Sequence, residues 1–153
     1  MAKEFSVLGI NHIGMVAKDP VKARNFFEKI LGLSHLGDEF VKAQHTHTSM
    51  LTSHSSVTES SVSSPRLELL VPDEDPEGPI AKFLVKKGSG IHHIALQVDS
   101  IEGAIRYLKT QGVRLIDESP RVGAHATSIA FVHPESTGGL LVELVQENRE
   151  DSL

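Results

Sequence analysis

The chain has 153 residues, a common length for one compact domain, and its hydrophobic fraction is 39%. No apolar run approaches the roughly 20 residues that span a bilayer, and the net charge of −5 without a basic stripe argues against a nucleic-acid partner. Because there is no cysteine, disulfides and thiolate ligands are excluded, so any metal must be bound through nitrogen and oxygen atoms. Since no export signal is evident, we expect a cytoplasmic location, or the mitochondrial matrix if a transit peptide has been removed.

Two segments repeat one pattern, which indicates an internal duplication. Residues 9–16 recur as residues 90–98, and both segments read as strands. A helix start follows each of them, at Asp19-Pro20 in the first copy and at Asp99-Ser100 in the second. The duplication therefore predicts two modules with the same order of elements.

The predicted helices are amphipathic and end at glycine. The first runs to about Leu31 and the second to about Gln111, with Gly32 and Gly112 as the stop residues. The apolar stripe of the first helix consists of Ala23, Phe26, Phe27, Ile30 and Leu31, and that of the second of Ile101, Ala104, Ile105 and Leu108.

Each copy closes with a matching strand, at residues 67–72 and 142–146. We expect one α+β domain over residues 1–153, built from βαβββ modules at 7–72 and 89–147 and joined by a connecting helix near 79–87. The Ser-rich stretch at 52–65 has the composition of a flexible loop between two strands.

The strongest functional signal is a histidine and a glutamate inside apolar strands of both copies. His12 and Glu68 belong to the first module, and His93 and Glu143 to the second. A buried carboxylate loses several kcal/mol of solvation that only a cation or several hydrogen bonds replace. A lone strand histidine or glutamate is usually structural, but the repetition favours one divalent ion bound by all four residues. We expect Co²⁺, with Mn²⁺, Ni²⁺, Zn²⁺ or Fe²⁺ as alternatives.

His92 competes with His93 as the ligand of the second module, since the two are neighbours in one strand. Successive strand side chains point to opposite faces, so only one of them faces the site. The correspondence of His12-Ile13-Gly14 with His93-Ile94-Ala95 selects His93.

Several segments together resemble the methylmalonyl-CoA epimerase family of the vicinal oxygen chelate, or glyoxalase-like, superfamily. The resemblance covers residues 10–146 and is carried by segments 11–14, 79–84, 90–95, 112–117, 123–125 and 133–139. It implies a half-open mixed β-barrel around the metal, a homodimer, and an acyl-CoA substrate inverted at the carbon between a carboxylate and the thioester.

The chemistry that the resemblance implies suits the predicted site. A cation that chelates both carbonyl oxygens stabilises the enediolate formed when the α-proton leaves. Inversion needs one acid/base group on each side of the carbon, and the family is thought to use two glutamates. One of them corresponds to the metal-bound Glu143.

The second base of the family has no counterpart in this sequence. Counting without gaps from residue 32, the family's second glutamate falls on Ala43. If residues 43–51 form a strand, Ala43, His45 and His47 share one face, so either histidine is a candidate replacement base. The alternative is that both histidines are solvated residues of an edge strand.

Other residues carry weaker signals. His125 and His133 lie near turns, residues 136–139 resemble an anion-binding turn, and Lys86, Lys87 and Arg121 are candidates for CoA phosphates. A solvated surface is the simpler interpretation of each.

Three alternative functions remain open at this point. A glyoxalase-type lyase would use the same metal and a metal-bound glutamate, without needing a base at position 43. A ring-cleaving dioxygenase fits less well, because such sites hold Fe²⁺ with two histidines and one carboxylate. A non-catalytic module that binds a small molecule in the same cup is the third.

Overall fold

The computed structural model describes residues 2–53 and 64–148. The described chain divides into two compact units, one built from residues 12–92 and the other from the residues before 12 and after 92. Most of the stretch predicted as a loop, residues 52–65, lies outside the described residues. No helix in the described ranges is long and apolar enough to cross a membrane.

In the unit of residues 12–92 the strands follow the order β2-β3-β4-β1. Strand β1 pairs in parallel with β4, and the other neighbours pair antiparallel. Val16, Leu70 and Ile80 form its buried core with Phe83. Its elements are the part of β1 (Val7–Val16) from residue 12 onward, α1 (Pro20–Arg24) continuing as a π-helical turn (Asn25–Ile30), β2 (Ser34–Val41), β3 (Thr46–Thr52), β4 (Arg66–Pro72) and α2 (Pro79–Lys87).

In the second unit the strands follow the order β5-β8-β7-β6. Strand β5 pairs in parallel with β8, and the other neighbours pair antiparallel. One face of these strands carries Leu144 and Ala130 and packs on the helix formed by residues Ile101–Thr110. Val145 and Phe131 belong to a separate core cluster. Its elements are β5 (Gly90–Val98), α3 (Ile101–Thr110), β6 (Arg121–Val122), β7 (Ser128–Val132) and β8 (Val142–Gln146).

Both halves therefore show the predicted order of one strand, one helix and three strands. Gly32 and Gly112 follow the two module helices with φ of +78° and +72°. Such left-handed backbone favours glycine, which confirms both predicted helix stops.

The predicted apolar stripe of the first helix is partly wrong. The chain leaves α-helical geometry at Asn25, and the amide of Leu31 donates to the carbonyl of Phe26, five residues earlier. A π turn rotates the following side chains away from the 3.6-residue period. Phe26, Ile30 and Leu31 are consequently exposed by 46%, 67% and 55%.

The strand predicted for residues 43–51 is also wrong at its start. Residues Lys42–Gln44 form a 3-10 turn, and His45 has a left-handed φ of 50°. Strand β3 therefore begins only at Thr46. The predicted common face of Ala43 and His45 does not exist, because neither residue lies in a strand.

The N-cap of α3 generates a stability prediction. The hydroxyl of Ser100 accepts a hydrogen bond of 3.1 Å from the amide of Gly103. Because that amide has no other intrahelical partner, the Ser100→Ala variant should lose about 1 kcal/mol of the free energy of unfolding in urea. Ser100→Asp retains an acceptor and should remain near wild type. An alanine variant as stable as the wild type would contradict this role of the cap.

Candidate metal centre

The first predicted pair lies inside the unit of residues 12–92. His12 belongs to β1 and Glu68 to β4, and the two are exposed by only 5% and 4%. The Nε2 atom of His12 lies 3.7 Å from the carboxylate of Glu68. That distance is within ion-pair range but longer than a hydrogen bond.

The second predicted pair lies inside the other unit. His93 belongs to β5 and Glu143 to β8, and the two are exposed by 3% and 5%. The Nε2 atom of His93 lies 2.9 Å from the carboxylate of Glu143. The ring of Phe131 packs edge-on against His93, with 5.6 Å between the ring centres. An aromatic neighbour of this kind restricts the imidazole and keeps water from one side of it.

The two pairs arise from the same strand register. In the first module Glu68 lies opposite Gly14, two residues after His12. In the second module Glu143 lies opposite Ala95, two residues after His93. Alternate residues of a strand point to the same face, so this register places histidine and glutamate together in both modules.

Buried carboxylates of this kind suit a divalent cation. The effective cost of taking an ion out of water is several kcal/mol, and a partner of opposite charge must offset it. Imidazole nitrogen and carboxylate oxygen are ligands for first-row transition metals, and His12, Glu68 and His93 are buried residues able to hold such an ion.

His92 is placed differently from His93. Its ring packs against Phe83 of α2 at 5.1 Å between centres, and its side chain is half-buried. Since adjacent residues of β5 face opposite ways, His92 points away from the face that carries His93. The structure therefore brings His93, and not His92, to Glu143.

His45 does not lie on the strand face predicted for it from the sequence. Its Nδ1 atom is 2.9 Å from the carboxylate of Asp73, in the turn that follows β4. Partial burial tends to raise the pKa of Asp73, but the Asp75 amide and the His45 ring outweigh burial and lower the pKa below its ordinary value. His45 thus has a structural partner in this turn.

His47 lies in β3 but on the wrong face. Met50 is directly opposite Glu68, so the even-numbered residues of β3 share the face of that glutamate. His47 is opposite Val71 instead, is exposed, and stacks on Phe40 with 4.7 Å between ring centres. This register places the side chain of His47 on the face opposite to that of Glu68. His47 is therefore not placed to act as a base beside Glu68.

Sequence reasoning missed Glu39 of β2. The register pairs Glu39 with Thr48, which belongs to the same face as Met50 and Glu68. Glu39 is half-buried, whereas Thr48 is only 2% exposed. The sequence does not reveal this position, because the pairing of β2 with β3 depends on the turn at Lys42–Gln44, which overlaps the start of the strand predicted for residues 43–51.

Most of the residues with weaker signals lie in turns or at the end of a helix. His125 is exposed in a turn with a left-handed φ of 56°, and His133 caps the next turn by accepting from the amide of Glu135. Ser136 accepts from the amide of Arg114, and Lys86 and Lys87 are in the last turn of α2. Arg121 differs from these, because its guanidinium lies over the ring of Phe131.

The chain is similar in sequence and in structure to known proteins. Residues 11–131 match the model of the Glyoxalase/Bleomycin resistance protein/Dioxygenase superfamily. The chain is 37% identical to human mitochondrial methylmalonyl-CoA epimerase, over 90% of this chain and 73% of that protein. It is 36% identical to an uncharacterised protein of Bacillus subtilis, over 90% and 91%. The crystal structure of methylmalonyl-CoA epimerase from Mycobacterium tuberculosis superposes with a TM-score of 0.85 at 31% identity, covering 98% of this chain and 95% of that one.

The predicted fold class is confirmed by the match of the family model and by the structural similarity. The similarity extends over 90% of this chain for the human enzyme and over 98% for the Mycobacterium tuberculosis structure. The chain belongs to the methylmalonyl-CoA epimerase family of the glyoxalase, or vicinal oxygen chelate, superfamily.

Proposed function

We propose that this protein is a metal-dependent epimerase of a short acyl-CoA, with methylmalonyl-CoA as the expected substrate. The observation that carries the proposal is the repeated pair of buried histidine and glutamate, His12 with Glu68 and His93 with Glu143. Relatives named methylmalonyl-CoA epimerase, matched over 90% of this chain and 73% of their own length, support the choice of substrate.

The four residues would hold one divalent ion between them, with Co²⁺ expected first. An ion so held supplies electrophilic stabilisation of the negative charge that develops on the substrate oxygens when the α-proton leaves. The protein's part is to present two imidazoles and two carboxylates in a buried setting, where electrostatic interactions are stronger than in water.

Proton transfer would be divided between two carboxylates. Glu143 takes the proton from one face of the carbon, as expected from its place in the family. For the other face we propose Glu39, because it is the carboxylate of β2 that shares the face of Glu68. In the register Glu39 lies opposite Thr48, and the adjacent row on the same face holds Met50 opposite Glu68.

A glyoxalase-type lyase and a non-catalytic binding module are the competing functions. Neither requires two acid/base groups on one substrate carbon. With Glu39 proposed as second base in place of His45 or His47, the epimerase has two candidate carboxylates, Glu39 and Glu143, and this supports it over the two competing functions.

The homodimer and the cytoplasmic location stay predictions. Gel filtration with light scattering would test the dimer.

Wild-type protein loaded with Co²⁺ should exchange the C2 proton of methylmalonyl-CoA in D₂O and invert the carbon. The Glu143→Gln variant should lose at least about 100-fold in both rates, because general acid–base catalysis contributes on that scale. It should also bind Co²⁺ more weakly. NMR of the C2 position and polarimetry measure exchange and inversion separately.

The matched control is Glu147→Gln, since Glu147 accepts a hydrogen bond from Asn11 through an oxygen that glutamine retains. This control should behave as wild type. Wild-type protein that neither exchanges nor inverts the substrate with any of the five metals would rule out the epimerase and favour the lyase or the binding module.

The Glu39→Gln variant should separate exchange from inversion. With one carboxylate left, C2 exchange should persist for one stereoisomer while inversion falls by about 100-fold or more. Asp38→Asn is the control, because Asp38 is opposite Ser49 and therefore belongs to the other face of the same strand. Inversion at the wild-type rate in Glu39→Gln would remove Glu39 from the mechanism.

A further inference from the structure

We propose that Arg121 binds an oxyanion of the acyl-CoA substrate, beside the His93–Glu143 pair. The inference rests on the proposed function and names a substrate contact for it. The oxyanion has two sources in an acyl-CoA, the carboxylate of the acyl group and the phosphates of the nucleotide part.

Arg121 lies on the same sheet face as Glu143. Strand β6 places Arg121 opposite Ile129, and β7 places Phe131, two residues further on, opposite Glu143. Cross-strand partners and alternate residues share a face, so these four side chains point to one side of the sheet. His93 reaches that side as well, through its contact with both Phe131 and Glu143.

The guanidinium is fixed in place by a carboxylate and a ring. Its Nε atom is buried and lies 3.1 Å from Oδ1 of Asp117. This contact is an ion pair and not a hydrogen bond. The other oxygen of Asp117 accepts from the amide of Phe131 at 2.8 Å. The central guanidinium carbon lies 5.6 Å from the centre of the Phe131 ring, a cation–π distance. One phenyl ring thus separates this cation from the imidazole of His93.

The loop after β6 holds the strand close to its partner. A side chain at Gly123 would come within 2.6 Å of Ile129, so this position accepts only glycine. His125 and Ala126 follow with left-handed φ of 56° and 55°. Backbone strain of this kind persists where the surroundings over-determine the conformation, which gives Arg121 a rigid support.

The terminal nitrogens of Arg121 remain available for a ligand. Among the described residues they form no hydrogen bond, and the side chain is 37% exposed. Arg114 and Arg106 differ, because one terminal nitrogen of each is bound to a carboxylate, that of Glu135 and that of Glu4 respectively. A planar pair of donors matches a carboxylate or a phosphate in bidentate geometry. A guanidinium held in advance also loses less side-chain entropy when the anion binds.

The test compares Arg121→Gln and Arg121→Lys with the wild type on methylmalonyl-CoA and on methylmalonyl-pantetheine, which lacks the nucleotide phosphates. A charge-assisted hydrogen bond to one group corresponds to about 10- to 100-fold in affinity. Arg121→Gln should therefore raise KM for methylmalonyl-CoA by that factor with a smaller change in kcat. Arg121→Lys keeps the charge without the planar fork and should lie between.

The two sources separate on the truncated substrate. A carboxylate contact raises KM for both substrates equally, whereas a phosphate contact raises it for the CoA substrate alone. Arg114→Gln is the control and should match the wild type on both. Unchanged KM values in Arg121→Gln would overturn the inference and leave the proposed function standing.

Two further readouts distinguish other outcomes. Calorimetric binding of methylmalonyl-CoA does not require turnover, so weaker binding by Arg121→Gln supports the inference even in a protein that does not epimerise. Wild-type protein that neither binds nor inverts this substrate defeats both proposals. If Arg121→Gln loses bound Co²⁺, the residue acts through Phe131 and His93 as structural support, and the anion contact is overturned.

Discussion

The burial of two carboxylates within apolar strands is the constraint on which the functional interpretation depends. Glu68 and Glu143 are almost inaccessible to water, and an ionised carboxylate in that setting is costly unless cationic or hydrogen-bonding partners offset the lost solvation. Each glutamate has a buried histidine beside it. A divalent ion bound to both kinds of side chain would stabilise the charge and make the same groups useful for catalysis.

The fold produces this arrangement through one repeated feature. The first and last strands of each module pair in parallel, with the glutamate opposite the residue two positions after the histidine. In the unit that carries Glu143, the neighbouring Leu144 faces α3, so alternation along β8 separates packing from chemistry. A shift of one residue in this pairing would turn Glu143 toward the helix.

The parts of the fold that depend on local sequence could be predicted. Strand alternation, helix starts and glycine stops identified both modules, and the duplication identified His12, Glu68, His93 and Glu143 as equivalent pairs. The parts that depend on backbone geometry could not. A short turn and a left-handed His45 shifted the start of β3, and this shift changed which side chains share a face with Glu68. The π turn of the first helix likewise has no signature in the 3.6-residue period.

The most direct measurement of the central claim is the number of Co²⁺ ions bound per chain, determined by elemental analysis and titration calorimetry. It is made on the wild type and on two variants, His12→Gln from one module and His93→Gln from the other. A shared ion predicts one Co²⁺ per wild-type chain and loss of tight binding in both variants. Two ions per chain, with each variant losing only one of them, would contradict a common site.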